Sequence, residues 1–336
     1  MRVLITGGYG FIGAWIIKAL LEKGASVWVY DLKEDARRMR MILSEEQVRK
    51  VVFIPGNVTD QLLLTSALKE NAISHIIHLA GLQVPTCRAN PILGAQVNVM
   101  GTLAVFEAIR TLGEQVKRVV YASSAAVFGP PEAYGPGRQP DDARLLPSTH
   151  YGYFKCCNEG NARIYFQDFG ISSIGLRPWT VYGVGRDLGM TSDPTKAIKS
   201  VVMNRPFHIA FGGITDFQYV EDVAQIFVRC LEAPYKGAKS YNLRGAVVDI
   251  PAFLKTLIEI APEAAKLITH GTSQLAIAYD LDDAGLQKDI GDIPSTSLKD
   301  GIRKTLEIFQ KLKAENRLTT EDLEAAKPAV VTVDEP

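Results

Sequence analysis

The stretch Arg2-Val3-Leu4-Ile5-Thr6-Gly7-Gly8-Tyr9-Gly10-Phe11-Ile12-Gly13 decides the fold. Arg2 to Thr6 is the short apolar run of a buried strand, and Phe11 to Lys23 has helical periodicity. Glycines stand between and just inside them, at 7, 10 and 13. Glycine permits a tight turn and a close approach of backbone to a pyrophosphate. The helix that follows offers free N–H groups and a positive dipole end to that anion. Gly13 lets the same helix pack closely on the sheet. The next strand, Ser26 to Tyr30, runs into Asp31, 18 residues beyond Gly13. Such an acid is placed to accept hydrogen bonds from an adenosine ribose. Strand, glycine turn, helix and acid together predict a dinucleotide cradle. A carboxylate repels a 2′-phosphate, so the expected cofactor is NAD. Lys33, Arg37 and Arg38 lie just beyond, where they either soften that preference or form a solvated face.

Outward from the cradle, strand runs alternate with helical segments. Val51 to Ile54, His75 to His78 and Arg118 to Ala122 read as strands. Gln61 to Glu70, Ile92 to Leu112 and Thr149 to Phe169 read as helices, followed by a strand at Ile171 to Leu176. Apolar strands alternating with helices predict a parallel sheet covered on both faces, an α/β Rossmann-type doubly wound fold. After about Pro178 the alternation is lost and Gly and Pro become frequent. A smaller C-terminal substrate-binding subdomain is expected there. The expected division is an NAD-binding domain over 1–177, rejoined by 220–234, a substrate-binding subdomain over 178–219 and 235–315, and a mobile tail over 327–336. Val220 to Ala233 reads as the returning helix, with further helices at Ile250 to Ile260 and Leu298 to Leu312.

Composition narrows the function. Lys plus Arg (37) balances Asp plus Glu (37), which gives no excess charge to hold nucleic acid or an anionic membrane. At 47% hydrophobic and 22% charged, the chain has the make-up of a globular protein with a real core. The apolar stretch Phe11 to Leu21 is too short to span a bilayer and is broken by Gly13 and Lys18. Met1 leads directly into the first strand with no signal-peptide pattern, so the expected location is cytoplasmic. Cys87, Cys156, Cys157 and Cys230 form neither a CxxC pair nor a ligand spacing, so reduced thiols and no metal are expected.

The chemistry sits at Tyr121-Ala122-Ser123-Ser124-Ala125-Ala126, the end of a strand, and at Tyr151-Gly-Tyr-Phe-Lys155. A tyrosine and a lysine four apart share one helix face. An ammonium and an oxidised nicotinamide near a phenol favour its phenolate, making Tyr151 a usable acid/base near neutral pH. A serine hydroxyl opposite would hold the reacting oxygen.

With the glycine cradle, the serine strand end and the Tyr-x-x-x-Lys helix in that order, the sequence resembles the extended short-chain dehydrogenase/reductases, the NAD-dependent epimerase/dehydratase family. The resemblance covers roughly residues 1–312. It implies Ser124, Tyr151 and Lys155 as the catalytic group, with Lys155 also binding ribose. It implies cofactor contacts at Gly7, Gly10, Phe11, Ile12, Gly13 and Asp31. Gly56-Asn57-Val58-Thr59-Asp60 is similar to the turn along the adenine, with Asn57 where the family usually has Asp. Leu79, Ala80 and Gly81 resemble the loop past the ribose and phosphates. Asn98 matches the asparagine of an Asn-x-x-Gly-Thr pattern, and Leu176-Arg177-Pro178 the segment that closes over the nicotinamide. Asp216 to Ala224 resembles a block that starts a structural helix.

The chain departs from the nucleotide-sugar members. Thr180 stands where they commonly carry asparagine, and Thr215 where they commonly carry arginine, which removes a bidentate diphosphate clamp. Arg186, Lys196, Lys199 and Arg205 are the replacements at hand. No Asp-Glu pair adjoins Ser124, which disfavours a dehydratase. Ser124, Ala125, Trp179, Thr180, Arg186 and Thr191 are the expected substrate contacts. His75 and His78 read as packing groups rather than ligands, and His150 as a cap or loop residue. The expected activity is hydride transfer between NAD and a secondary hydroxyl or carbonyl of a sugar, sugar acid or hydroxy acid. The alternatives are a (nucleotide-)sugar epimerase with tightly held NAD and a non-catalytic dinucleotide sensor. A homodimer through the helices containing Ile92 to Leu112 and Tyr151 to Phe169 is expected.

Overall fold

The computed structural model describes residues 1–324 of the 336. The 327–336 tail therefore lies outside the described residues. Strand β1 (Arg2–Thr6) turns through the glycine loop into α1 (Phe11–Glu22), followed by β2 (Ser26–Asp31). Two short helices, α2 (Arg37–Arg40) and α3 (Glu45–Val48), precede β3 (Val51–Pro55) and α4 (Gln61–Glu70). Strand β4 (His75–His78) leads into α5 (Val84–Ala89) and α6 (Pro91–Ala95). The chain continues through a π-helical turn (Gln96–Met100) into α7 (Gly101–Leu112). Then come β5 (Arg118–Ala122), α8 (His150–Phe169), β6 (Ser173–Arg177) and β7 (Thr180–Tyr182). The last part holds α9 (Asp193–Val202), β8 (Phe207–Ile209), β9 (Ile214–Tyr219), α10 (Val220–Glu232), β10 (Ala238–Asn242), β11 (Ala246–Asp249), α11 (Ile250–Ile260) and β12 (Ile268–His270).

Seven parallel strands form the main sheet in the order β10-β6-β5-β4-β1-β2-β3. The chain grows outward from β1 to β3, then restarts at β4 on the other side of β1. That reversal between β1 and β4 leaves a crevice at the carboxyl ends of the strands, the usual ligand position of such a sheet. Helices α4, α7 and α8 cover one face around Leu4, Tyr30, Ile76, Phe106 and Tyr121. Helices α1 and α10 cover the other face and pack on each other, with Ile5, Ile16, Ile17, Val29 and Phe227 in that core. Both faces being apolar explains why β1 reads as a continuous hydrophobic run.

Three features differ from expectation. Within the stretch 235–315, β10 pairs in parallel with β6 and belongs to the main sheet, which therefore extends past residue 235. Its sequence, Ala-Lys-Ser-Tyr-Asn, is an edge strand with little apolar signal. Pairs β7–β9–β11 and β8–β12 form small separate sheets that the Gly- and Pro-rich sequence concealed. The long helix over Ile92 to Leu112 is interrupted by its π turn, a distortion that concentrates at functional sites.

Candidate active site

The glycine loop has the geometry of a cradle. Gly7 has φ +68°, and a Cβ there would lie 2.7 Å from the Ala80 nitrogen. A Cβ on Gly13 would meet the Gly8 carbonyl oxygen at 2.4 Å. Only glycine fits either position, which keeps β4's exit loop and the α1 N-terminus close around the crevice. Gly10 caps α1 without using a side chain, so the first N–H groups of the helix have no capping side chain and are available to an anion.

A cavity of about 610 Å³ runs from this cradle to α8 and the segment after β7. The expected cofactor residues Gly7, Gly10, Phe11, Ile12, Gly13, Asp31, Asn57, Val58, Leu79, Ala80, Gly81 and Pro178 line it. Asp31 ends β2, and burial raises its carboxyl above the usual range against the pull of the Leu32 and Tyr9 amides. Dinucleotide binding therefore fits the residues present: a glycine cradle for pyrophosphate, a carboxylate for ribose hydroxyls and a cation at Lys155.

Asn98 does not reach the cavity wall. It is buried in the π turn, where its Oδ1 accepts from the Leu82 amide at 2.7 Å and its Nδ2 donates to the Leu82 carbonyl at 2.9 Å. The freed Asn98 carbonyl accepts from Asn158 of α8 at 2.9 Å. Asn98 thus fixes the loop after β4 and ties it to α8.

The three expected catalytic side chains meet on one stretch of wall. Ser124 follows β5 and its Oγ accepts from the Ala126 amide at 3.1 Å, which orients the hydroxyl. Tyr151 lies in the first turn of α8, whose N-terminus is capped by Thr149. Gly152 allows this approach, because a Cβ there would sit 2.2 Å from the Ala126 carbonyl oxygen. Lys155 Nζ donates to the Ala122 carbonyl at 2.7 Å and lies 5.5 Å from the centre of the Tyr151 ring. Burial pushes the Lys155 ammonium down to about 8, opposed by Cys87 and Glu159. Burial raises the Tyr151 phenol, while the Ser124 hydroxyl and the Arg186 guanidinium favour its anion. Burial outweighs that hydroxyl and guanidinium, and Tyr151 rests as the neutral phenol.

Behind α8, Glu159 binds Arg177 in a fully buried ion pair, with Nε–Oε1 at 2.8 Å and Nη2–Oε2 at 2.7 Å. The same carboxylate accepts from Ser123 at 2.5 Å. Arg177 also donates to the Asp141 carbonyl and to Asn242 of β10. This network fixes α8 against β5, β6 and β10.

Among the expected substrate residues, Ser124, Ala125, Trp179, Arg186 and Thr191 line the cavity. Thr180 does not. It is fully buried in β7, with its hydroxyl 2.5 Å from that of Thr215 in β9, so the pair satisfies itself inside the small sheet. Of the four alternative cations, Arg186 is on the wall, while Lys199 pairs with Asp322. Sequence reading missed Gln83, Met190 and Ile277, which also line the chamber. Gln83 continues a loop whose first residues were singled out, but nothing local marks Ile277. His78 is buried between the Thr6 and Thr102 hydroxyls, and burial holds it neutral, down to about 3. No cluster of metal-ligating side chains occurs among the described residues.

Comparison with known proteins agrees with this geometry. The chain is 29% identical to UDP-glucose 4-epimerase of Mycolicibacterium smegmatis over 318 residues, covering 92% of this chain and 99% of that one. It is 26% identical to UDP-glucuronate 4-epimerase 3 of Arabidopsis thaliana, covering 90% and 75%. Among solved structures, it matches a partial consensus L-threonine 3-dehydrogenase with TM-score 0.82 at 21% identity, covering 93% and 100%, a likeness of fold. It matches Thermus thermophilus UDP-glucose 4-epimerase in complex with NAD with TM-score 0.77 at 25% identity, covering 92% and 99%. The model of the NAD dependent epimerase/dehydratase family matches residues 3–243, well over half of the chain, and on that ground this protein belongs to that family and is an NAD-dependent enzyme of the short-chain dehydrogenase/reductase type.

Proposed function

We propose that the protein is an NAD-dependent dehydrogenase of a secondary alcohol in a small polar substrate such as a sugar, sugar acid or hydroxy acid. The observation that carries this reading is the convergence of Ser124, Tyr151 and Lys155 on one cavity with the glycine cradle. Ser124 holds the substrate oxygen by a hydrogen bond. Tyr151 receives the hydroxyl proton on its phenolic oxygen when oxidation runs, and returns it when reduction runs. Lys155 stabilises the phenolate; burial pushes its ammonium down to about 8, with Cys87 and Glu159 opposing that fall. Bound NAD supplies the hydride acceptor. Trp179, Met190 and Ile277 give the chamber an apolar wall that excludes water.

The Thr180–Thr215 pair supports a substrate without a nucleotide handle, since neither hydroxyl reaches the cavity. A specific observation favours a second reading: full-length relatives include UDP-glucose 4-epimerases. One assay separates the two. Purified protein with NAD is offered sugars, sugar acids, hydroxy acids and UDP-sugars while reduced-cofactor absorbance is followed. Absorbance rising in step with product from a free sugar or acid is expected. UDP-sugar epimerised without net reduction would replace the dehydrogenase by the epimerase. A non-catalytic sensor is disfavoured because Tyr151 and Lys155 are both retained at the cavity.

The protein is further read as a cytoplasmic homodimer. Its four thiols are all free, which suits a reducing compartment. Apolar side chains are exposed along α8 and the preceding long helix, with Ile92 at 74%, Met100 at 55%, Tyr153 at 62% and Ile164 at 50%. Such a face calls for a partner. Chain 91–115 is apolar enough to cross a membrane by composition, but half of it is buried in the protein, as in a core helix.

A further inference from the structure

Arg186 is a half-buried cation whose own acid neighbour is engaged elsewhere. Asp187, next in sequence, is taken up by Arg38 in a bidentate pair at 2.7 and 2.9 Å, with Arg37 as a second partner. Arg186 makes one hydrogen bond, from Nη2 to the Thr191 hydroxyl at 3.1 Å, and its Nε is buried with no partner. Its guanidinium lies 5.7 Å from the centre of the Phe11 ring. Desolvation drives its pKa down to about 10, with Tyr151 among the groups opposing that fall. A desolvated cation with free donors is costly, and the cost is relieved when an anion arrives.

The position of this cation is held by its surroundings. Gly189 has φ +104°, and a Cβ there would meet Gln83 Oε1 at 2.2 Å and Arg186 Nη2 at 3.1 Å. Any side chain at 189 would displace both groups. On the cavity wall the other cation is Lys155, already donating to the Ala122 carbonyl. Among the described residues the one acid of the wall is Asp31, at the tip of β2.

We infer that the substrate carries a carboxylate, which Arg186 receives in its guanidinium fork while the alcohol to be oxidised lies against Ser124 and Tyr151. This rests on the dehydrogenase reading and narrows it to hydroxy acids and sugar acids. A planar fork matches a carboxylate in a way that an ammonium does not. Arg186, held by its bond to Thr191, lines the same cavity as Ser124 and Tyr151, so an anion on its fork and an alcohol against those two hydroxyls share one chamber. The competing anion is the cofactor's pyrophosphate, for which the α1 N-terminus already offers unsatisfied N–H groups.

Two measurements test this on the full chain. In steady-state assays, wild type turns over aldonic or hydroxy acids with kcat/KM at least about 30-fold above the corresponding amides or neutral sugars. Arg186→Gln raises KM for the acid by about 30- to 100-fold, leaves NAD affinity by fluorescence titration within twofold, and is partly rescued by Arg186→Lys. In a turnover-independent arm, malonate binding to the protein–NADH complex is followed by calorimetry, and Arg186→Gln abolishes it. Loss of NAD affinity in Arg186→Gln with malonate binding unchanged would assign the guanidinium to pyrophosphate and overturn the inference. Neutral substrates matching the acids would overturn it as well. Malonate binding that depends on Arg186, in a protein that oxidises none of the panel, would keep the anion anchor and reject the dehydrogenase reading.

Discussion

Arg38 and Asp187 join two parts of the molecule 149 residues apart in sequence, by a bidentate ion pair with Nη2–Oδ contacts of 2.7 and 2.9 Å. Arg38 also donates to the carbonyls of Gly185 and Tyr9, at 3.2 Å each. Trp15 of α1 adds a bond from Nε1 to the Val184 carbonyl at 2.9 Å. Together they clip the segment after β7 onto the glycine loop. Arg38, one of the three cations just beyond Asp31, is thus neither a solvated face nor a free counter-charge for that carboxylate, being paired with Asp187. Arg38→Gln is expected to speed NAD dissociation by about 5- to 30-fold, the loss of one partly buried charge pair. Stopped-flow displacement of bound NADH measures it, and an unchanged rate would dismiss the clip.

Tyr151→Phe keeps the ring and removes the acid/base. Turnover should fall by about 100- to 10,000-fold while NAD affinity stays within twofold. Steady-state kinetics and fluorescence titration on the same preparation give both numbers. Turnover surviving near the wild-type rate would remove Tyr151 from the mechanism.

Lys155 gives a pH signature. Its ammonium is pushed down to about 8 in the native unliganded protein from an ordinary 10.5. Below pH 8 it is charged in both native and unfolded states, and the native state bears the full desolvation cost. Between 8 and 10.5 the native state sheds its proton first, so the cost fades and stability from this group rises with pH. Lys155→Met should therefore stabilise the unliganded protein at pH 6–7 by roughly 1–3 kcal/mol, a gain that shrinks towards pH 10. Thermal unfolding across that range checks it, and a gain that grows with pH would contradict the assigned shift.

Glu159→Gln leaves Arg177 buried without its counter-charge and Ser123 without its ionic acceptor. A loss of about 3–5 kcal/mol is expected in chemical denaturation. Because Glu159 helps hold Lys155 charged, the alkaline side of the activity profile should also shift to lower pH. Stability within 1 kcal/mol of wild type would show that the pair is not a structural anchor.

Ile164→Asp and Tyr153→Asp place charge on the exposed apolar face of α8. Light scattering at micromolar concentration should give twice the chain mass for wild type and a single chain mass for the double variant. A monomeric wild type would leave that face without its proposed partner.

The local chemistry of this protein was legible in its sequence wherever cause and residue are neighbours. The glycine turn with Asp31, the strand–helix alternation through β6, and the i, i+4 pair at Tyr151 and Lys155 each depend on contacts within a few residues. The cavity wall depends on contacts across the chain. Ile277 joins the cluster of Ala125 and Trp179 only after the chain has crossed α9, β9 and α10, and β10 joins the main sheet because β6 presents an open edge. Thr180 is adjacent to the wall residue Trp179, yet β7 turns its hydroxyl to Thr215. Asn98 sits in a family motif, yet a π turn aims it at Leu82. What remained with tertiary structure was the direction each side chain faces, since the partner that fixes it is set by packing and hydrogen bonding between distant segments. The same holds for Arg38 and Arg186: two arginines alike in sequence, one closed by a carboxylate and the other left open to the substrate chamber.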